Sequence, residues 1–410
     1  MSIIQLVTTV TVLLALALLA MPLSKWLRLP LGGVLVVLGF AASELVVALG
    51  YDTGLSWRSF RDLVLYVLLP LLVFFAALRV DTTSLKRYLG PTLALALPLL
   101  LVATALCTAL IYYLVAHPTG FPWIAAGIAA ALFVATDSLV ISEIFERRNV
   151  PPPVNTLLEG EGAFGDAIAV ALYVSLTGFA LAMEGDATAL LGTTALLFLW
   201  AIAAGAVVGV GVAWILLRLG WRQLNELTQG LVTLVAVYGI YLTTELLLEA
   251  SGVVALMAAG LLLGREYRGR DADQSARFTY VFWKFLGRAS YMLLFILVGV
   301  TITVDMFTER WLVMIIAVGA LLLARLPVVV LSLPLQNRLL GAERLNGVQG
   351  VLLYFGGVRG AVTLALALSL PTDLPYWWTI QSMAYGVVLF SLFVQAPLVE
   401  WIVNRYRNQL

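Results

Sequence analysis

Five ionisable side chains stand in stretches that are otherwise soluble only in hydrocarbon. LLEGEGAFGDAIAVALYVSL (157–176) holds Glu161 and Asp166, with Glu159 just ahead of them. FVATDSLV (133–140) holds Asp137 beside Thr136, ALLLARLPVVV (320–330) holds Arg325, and LLYFGGVRGAV (352–362) holds Arg359. A charge near a bilayer centre costs roughly 2.5–3.5 kcal/mol on insertion scales, so such side chains are expected to face one another rather than lipid. Asp137, Glu161 and Asp166 against the two arginines leave one uncompensated carboxylate. In a low dielectric that group takes a proton or holds a cation. It cannot comfortably hold both or stay empty, so the two ions compete and only an occupied site crosses between facings. The predicted chemistry is electroneutral 1:1 exchange of an alkali cation for a proton.

The roles follow from residue type. Asp166 is the candidate titrating, ion-binding carboxylate. Asp137, and a Thr136 carbonyl freed at a helix break, would add hard oxygen ligands suited to Na⁺ held at Asp166 and Asp137. Arg359 would stabilise an opposing broken helix at its carbonyl end, while Glu161 would pair with Arg325 or reach the ion through water. Glu159 is shallower and is read as a residue of the inner mouth. No catalytic residue and no cofactor is implied, only transported Na⁺, Li⁺ or K⁺ and H⁺.

The elements that must carry these residues are membrane helices. Of 410 residues 62% are hydrophobic and only 11% charged, far below the roughly 25% charged of soluble domains. The chain is read as an all-α polytopic membrane protein lying in the bilayer. Its net charge of +1 points to no nucleic-acid partner. Cys107 stands alone, so no intrachain disulfide can form. His117 is the single histidine and is read as a surface loop residue, which removes histidine metal or triad chemistry. Thirteen transmembrane helices are expected, over 4–22, 32–50, 61–78, 90–115, 122–145, 156–182, 188–218, 226–249, 253–264, 281–303, 311–336, 347–370 and 376–403. With the N-terminus outside, 19 of the 24 Lys and Arg residues fall on the cytoplasmic side and only Arg58, Arg61 and Arg310 fall outside. The first basic residues follow the first apolar run, which is not the order of a signal peptide. The expected location is a bacterial inner membrane with the C-terminus in the cytoplasm. The chain is expected to be one membrane unit with no soluble C-terminal regulatory domain.

At about 1.5 Å per helical residue, Asp166 lies about 15 Å from the cytoplasmic end of its span and Arg359 about 18 Å. Asp137 lies about 22 Å and Arg325 about 21 Å from the outer ends of theirs, so four helices bring charges to similar depth. The fifth and twelfth spans both carry helix-breaking chemistry. Thr136, Asp137 and Ser138 compete for backbone hydrogen bonds, and Gly356, Gly357 and Gly360 weaken a helix by about 1 kcal/mol each relative to Ala. A shift of seven spans maps one onto the other and, being odd, reverses orientation, as inverted repeats with two crossing broken helices require. The string GAFGD (162–166) also invites an intramembrane aspartyl protease, in which two carboxylates share a proton. Its spacing is G-x-x-G-D rather than G-x-G-D, and two arginines would keep both carboxylates ionised. A passive channel would favour rings of carbonyls or acids rather than one asymmetric cluster.

The segment ATDSLVISEIFERRNVPPPVNTLLEGEGAFGDAIAVALY (135–173) resembles the A-T-D-P…EGES-x-x-N-D-A motif of sodium/proton antiporters of the cation:proton antiporter-1 family. GGVRGAVTLALALSLP (356–371) is similar to that family's G-x-RGA-V-x-L-A-L-A-L-P helix, and SGVVALMAAGLLLG (251–264) resembles its ninth-helix region. The resemblance implies a homodimer of thirteen-helix protomers. Each would have a core domain built mainly from spans 5, 6, 12, 13 and their neighbours, moving like an elevator against a dimerisation domain from the remaining spans. It implies Na⁺/H⁺ antiport, with K⁺/H⁺ antiport on the same fold as the alternative. It also puts the ion-binding Asp at Asp166, the Thr-Asp pair at Thr136 and Asp137, the Glu at Glu161, and the intramembrane arginines at Arg325 and Arg359. Three positions depart from the pattern: Ser138 replaces proline, Gly162 replaces serine and Gly165 replaces asparagine. That asparagine goes with electroneutral members and an Asp there with electrogenic ones; Gly165 adds no charge.

Overall fold

The computed structural model describes residues 3–27, 29–48, 57–115, 120–148, 150, 152–181, 187–268, 274–340 and 344–407. His117 lies outside the described residues. Every regular element among them is helical. Nine of their helices are long and apolar enough to cross a membrane, and Thr11–Leu27 and Leu31–Val46 are shorter apolar helices.

The helices that matter below are α1 (Trp57–Leu63), α2 (Leu69–Arg79), α3 (Leu100–Leu114), α4 (Trp123–Val134), α5 (Ser138–Arg148), α6 (Pro152–Leu181), α7 (Gly252–Arg268), α8 (Gln274–Thr301), α9 (Val304–Leu340), α10 (Gly347–Phe355), α11 (Ala361–Leu368) and α12 (Trp377–Phe390). Two expected spans change their bounds for local reasons. Helix α6 starts at Pro152 rather than near 156, because proline is pre-shaped for the first helical turn, where its missing N–H costs nothing. Helix α9 runs through 37 residues, past both expected ends, with Asp305 in its first turn and Arg338 in its last to oppose the helix dipole. The ninth expected span is the 17-residue α7. The twelfth is divided into α10 and α11.

Two groups of neighbouring helices, joined through α6 and sharing one continuous core, frame the site. In one, Leu31–Ala48 lies along α8, and α7 lies between α2 and Ala187–Arg218. In the other, α4 is packed by α3, α6 and α12, and α9 lies against α3 and α12. From Ala125 to Val134 every residue of α4 is buried. Its run of Ala and Gly allows close backbone approach on all sides, which is how helices pack where no water drives association. That places the end of α4, and the break after it, in the middle of the second group.

Candidate functional site

Helix α4 stops at Val134, Ala135 turns to φ −56°, ψ 126°, and α5 begins at Ser138. Helix α10 stops at Phe355 and α11 begins at Ala361. The two interruptions meet. The Asp137 N–H donates to the Val358 carbonyl at 2.6 Å. One oxygen of the Asp137 carboxylate accepts from the Leu139 and Val140 N–H groups at 3.0 and 3.4 Å, and the other accepts from the Ala361 N–H at 3.2 Å. Asp137 thus caps the N-termini of both α5 and α11. Each N-terminus carries about half a positive elementary charge and N–H groups with no partner inside the helix. The break forms although Ser138 stands where the resemblance in sequence has proline, because the Asp137 side chain competes for the helical N–H groups from within the chain.

Arginines meet the opposite ends. Arg359 Nε donates to the Phe133 carbonyl at 2.7 Å, and its Nη1 donates to the Gly357 carbonyl. Arg325 donates from Nε to the Tyr354 carbonyl at 3.0 Å and from Nη2 to the Leu353 carbonyl at 2.9 Å, which caps the C-terminus of α10. The same guanidinium grips both Glu161 oxygens, at 2.7 and 3.0 Å. Of the two options the sequence left open for Glu161, the structure displays the ion pair with Arg325. Arg359 thus stands at the carbonyl end of α4.

Asp166 is different. It is buried on α6, and its Oδ1 has no hydrogen-bond partner. The Asp137 carboxylate is within its electrostatic reach. The buried Thr136 hydroxyl is also without a partner and faces α6, 3.9 Å from where a Cβ on Gly165 would stand. Among the described residues no three His, Cys, Asp or Glu side chains converge, so a cation held here would draw on hydroxyl and carbonyl oxygens as well as carboxylates. Glu159 is half-buried and accepts from the Asn155 amide at 3.3 Å, one turn back on its own helix.

Sequence reasoning missed Thr363, whose hydroxyl donates toward the Leu132 and Ala135 carbonyls at 3.0 and 3.3 Å and stitches α11 to the end of α4. A hydroxyl in the otherwise apolar AVTLALAL was the available signal. The glycines were noticed as helix weakeners, but their need is steric. A Cβ on Gly360 would collide with the Asp137 carboxylate, and one on Gly357 with the Arg325 guanidinium.

The family model described as sodium/hydrogen exchanger, transmembrane, matches residues 12–405. The chain belongs to the sodium/hydrogen exchanger family. It is 31% identical to the Na⁺/H⁺ antiporter NhaP of Pseudomonas aeruginosa, with 84% of this chain and 81% of that one covered. It is 27% identical to the low-affinity Na⁺/H⁺ antiporter NhaS1 of Synechocystis, over 98% of this chain and 74% of that one. The solved structure of the sodium proton antiporter MjNhaP1 from Methanocaldococcus jannaschii superposes with a TM-score of 0.81 at 19% identity, covering 99% of both chains, and so shares the fold. As an exchanger the chain is a membrane transporter and not an enzyme, and the ions it moves are its substrates.

Proposed function

We propose that this exchanger moves Na⁺, or Li⁺, against H⁺ in a 1:1 electroneutral cycle, with Asp166 carrying either ion. Sodium/hydrogen exchange is the activity the family description names, and both curated relatives carry it in their names. One observation supports Asp166 above the other candidates: its buried Oδ1 has no partner, whereas each neighbouring charge is matched. Glu161 is matched by Arg325, Asp137 by two helix N-termini, and Arg359 by carbonyl ends. A lone buried carboxylate of this kind is stable only when neutralised by a proton or a cation. Thr136 and Asp137 complete the oxygen set, Glu161 and Arg325 hold the second broken helix in place, and Glu159 lies toward the inner mouth.

The same reading takes the chain as thirteen spans with the N-terminus outside, in a bacterial inner membrane, paired as a homodimer. Its second helix group, centred on spans 5, 6, 12 and 13, is the moving core. The first is the dimerisation scaffold. The test uses the purified protein in proteoliposomes under an imposed pH gradient, with Na⁺, Li⁺ and K⁺ in turn. Na⁺-dependent proton flux is expected, unchanged when the membrane potential is clamped and lost in Asp166→Asn. Rates that follow the imposed potential would overturn the stoichiometry, full activity in Asp166→Asn would overturn the site, and a preference for K⁺ would reassign the cation.

A further inference from the structure

Beside Asp137 stands a side chain that the sequence marks only as a departure from the resemblance and a helix breaker, with no role toward the ion. We infer that the Ser138 hydroxyl is a ligand of the transported cation, reaching into the gap that Gly162 leaves on α6. The inference rests on the reading of Asp166 given above. Ser138 is the first residue of α5, next to Asp137, and is half-buried. A Cβ built on Gly162 would lie 2.7 Å from the Ser138 Cβ, 3.2 Å from the Thr136 carbonyl oxygen and 3.4 Å from the Ser138 nitrogen. The Ser138 side chain therefore occupies space that any side chain at 162 would claim. Gly162 and Asp166 are one helical turn apart, so their side-chain positions are about 5–6 Å from each other on one face of α6. A monovalent ion with oxygen ligands at about 2.4 Å spans that distance between two of them.

Three features make Ser138 more than a helix-starting serine. Its carbonyl accepts from the Ser142 hydroxyl at 2.7 Å, but its own hydroxyl makes no hydrogen bond to a described residue. Thr136, two residues before it, and Asp166, one turn along α6 from Gly162, each keep a buried oxygen without a partner. Those two oxygens and the Thr136 carbonyl are fewer than the roughly six oxygens a hard cation takes, and Ser138 stands beside that carbonyl at the Gly162 gap. The two departures at 138 and 162 thereby become one change: the hydroxyl has moved from the α6 wall to the α5 wall of the same gap. With asparagine also replaced by Gly165, Ser138 joins Thr136 as a neutral hydroxyl free to tune cation affinity.

The experiment compares Ser138→Ala, Gly162→Ala and the double variant Ser138→Gly/Gly162→Ser, which clears the Cβ at 138 that a side chain at 162 would meet, with the parent in proteoliposomes, recording KM for Na⁺ and Li⁺ and the maximal rate. Na⁺-dependent thermal stabilisation of the purified protein serves as a binding readout independent of turnover. Ser138→Ala is expected to raise KM for Na⁺ by about three- to tenfold at near-parental maximal rate, the loss of one neutral ligand. Gly162→Ala should do the same by pushing Ser138 aside. The double variant should recover most of the affinity, with an altered Na⁺-to-Li⁺ ratio, because the hydroxyl returns from the opposite wall. A KM within twofold of the parent in Ser138→Ala overturns the inference, as does a variant that loses thermal stability without losing Na⁺ response. Asp166→Asn is run alongside: if it is inactive while Ser138→Ala is unchanged, only the serine assignment fails. If Asp166→Asn transports normally, the reading beneath it fails.

Discussion

Removing the Arg325 guanidinium should be the most destabilising single truncation at the site, and the structure says by how much. Arg325 and Glu161 are both buried, with side chains 9% and 8% exposed, at 2.7 Å. The guanidinium also satisfies the Leu353 and Tyr354 carbonyls at the end of α10. Taking one partner out of a buried ion pair costs about 3–5 kcal/mol, because the other charge is left in a low dielectric. Arg325→Ala further orphans two helix-terminal carbonyls, each worth about 1–3 kcal/mol when buried and unmatched. The terms share one network and do not add in full, so about 5 kcal/mol is expected. Glu161→Gln keeps an acceptor, and the arginine it leaves still faces the negative end of α10. Its cost should be about 2 kcal/mol. Making both changes together, Arg325→Ala/Glu161→Gln, removes the stranded charge, so the double variant should fall short of the sum by about 2–3 kcal/mol. Equilibrium unfolding of the purified protein in mixed micelles measures all three. Equal costs for the single variants, with a strictly additive double, would refute the idea that the pair closes this end of the broken helix.

The proposed competition at Asp166 carries a pH signature. As pH falls, protons occupy the carboxylate, so apparent KM for Na⁺ should rise by as much as about tenfold per pH unit at the acid end, with the maximal rate at saturating Na⁺ less affected; a KM flat across the range contradicts it. Gly360→Ala should abolish transport and cost about 1–3 kcal/mol of stability, since its Cβ meets the Asp137 carboxylate; normal flux and melting would show that the two breaks need not approach so closely. Arg359→Lys should lower the transport rate by about tenfold or more, because an ammonium cannot reproduce the planar fork that reaches the Phe133 and Gly357 carbonyls. Unchanged flux in reconstituted vesicles would show that a point charge suffices.

Much of this protein can be read from one dimension. The apolar runs give the helices, because a bilayer leaves buried backbone few ways to satisfy its hydrogen bonds. Asp137, Asp166, Glu161, Arg325 and Arg359 must meet, because each is too costly to leave in lipid alone. Even the surplus of one carboxylate follows from counting. Thr136-Asp137 and the glycines around Arg359 mark both interruptions, since local competition and missing side chains weaken helices wherever they occur.

Which carboxylate carries the surplus is a matter of pairing, and pairing belongs to the tertiary structure. Glu161 and Arg325 are 164 residues apart in sequence, and the Asp137 carboxylate and the Ala361 N–H are 224 apart. No local pattern states that Asp137 is matched by two helix ends rather than by an arginine, or that Arg359 answers carbonyls rather than a carboxylate. Helix dipoles become counter-charges only where chain ends converge, and they converge here because the small residues of α4 let its end sit at the centre of the second helix group. The same convergence decides that Thr363 bridges to α4 and that Ser138 fills the place of a missing side chain on α6. Residue chemistry dictated that one carboxylate would lack a counter-charge; the approach of four helix ends determined which neighbours were matched.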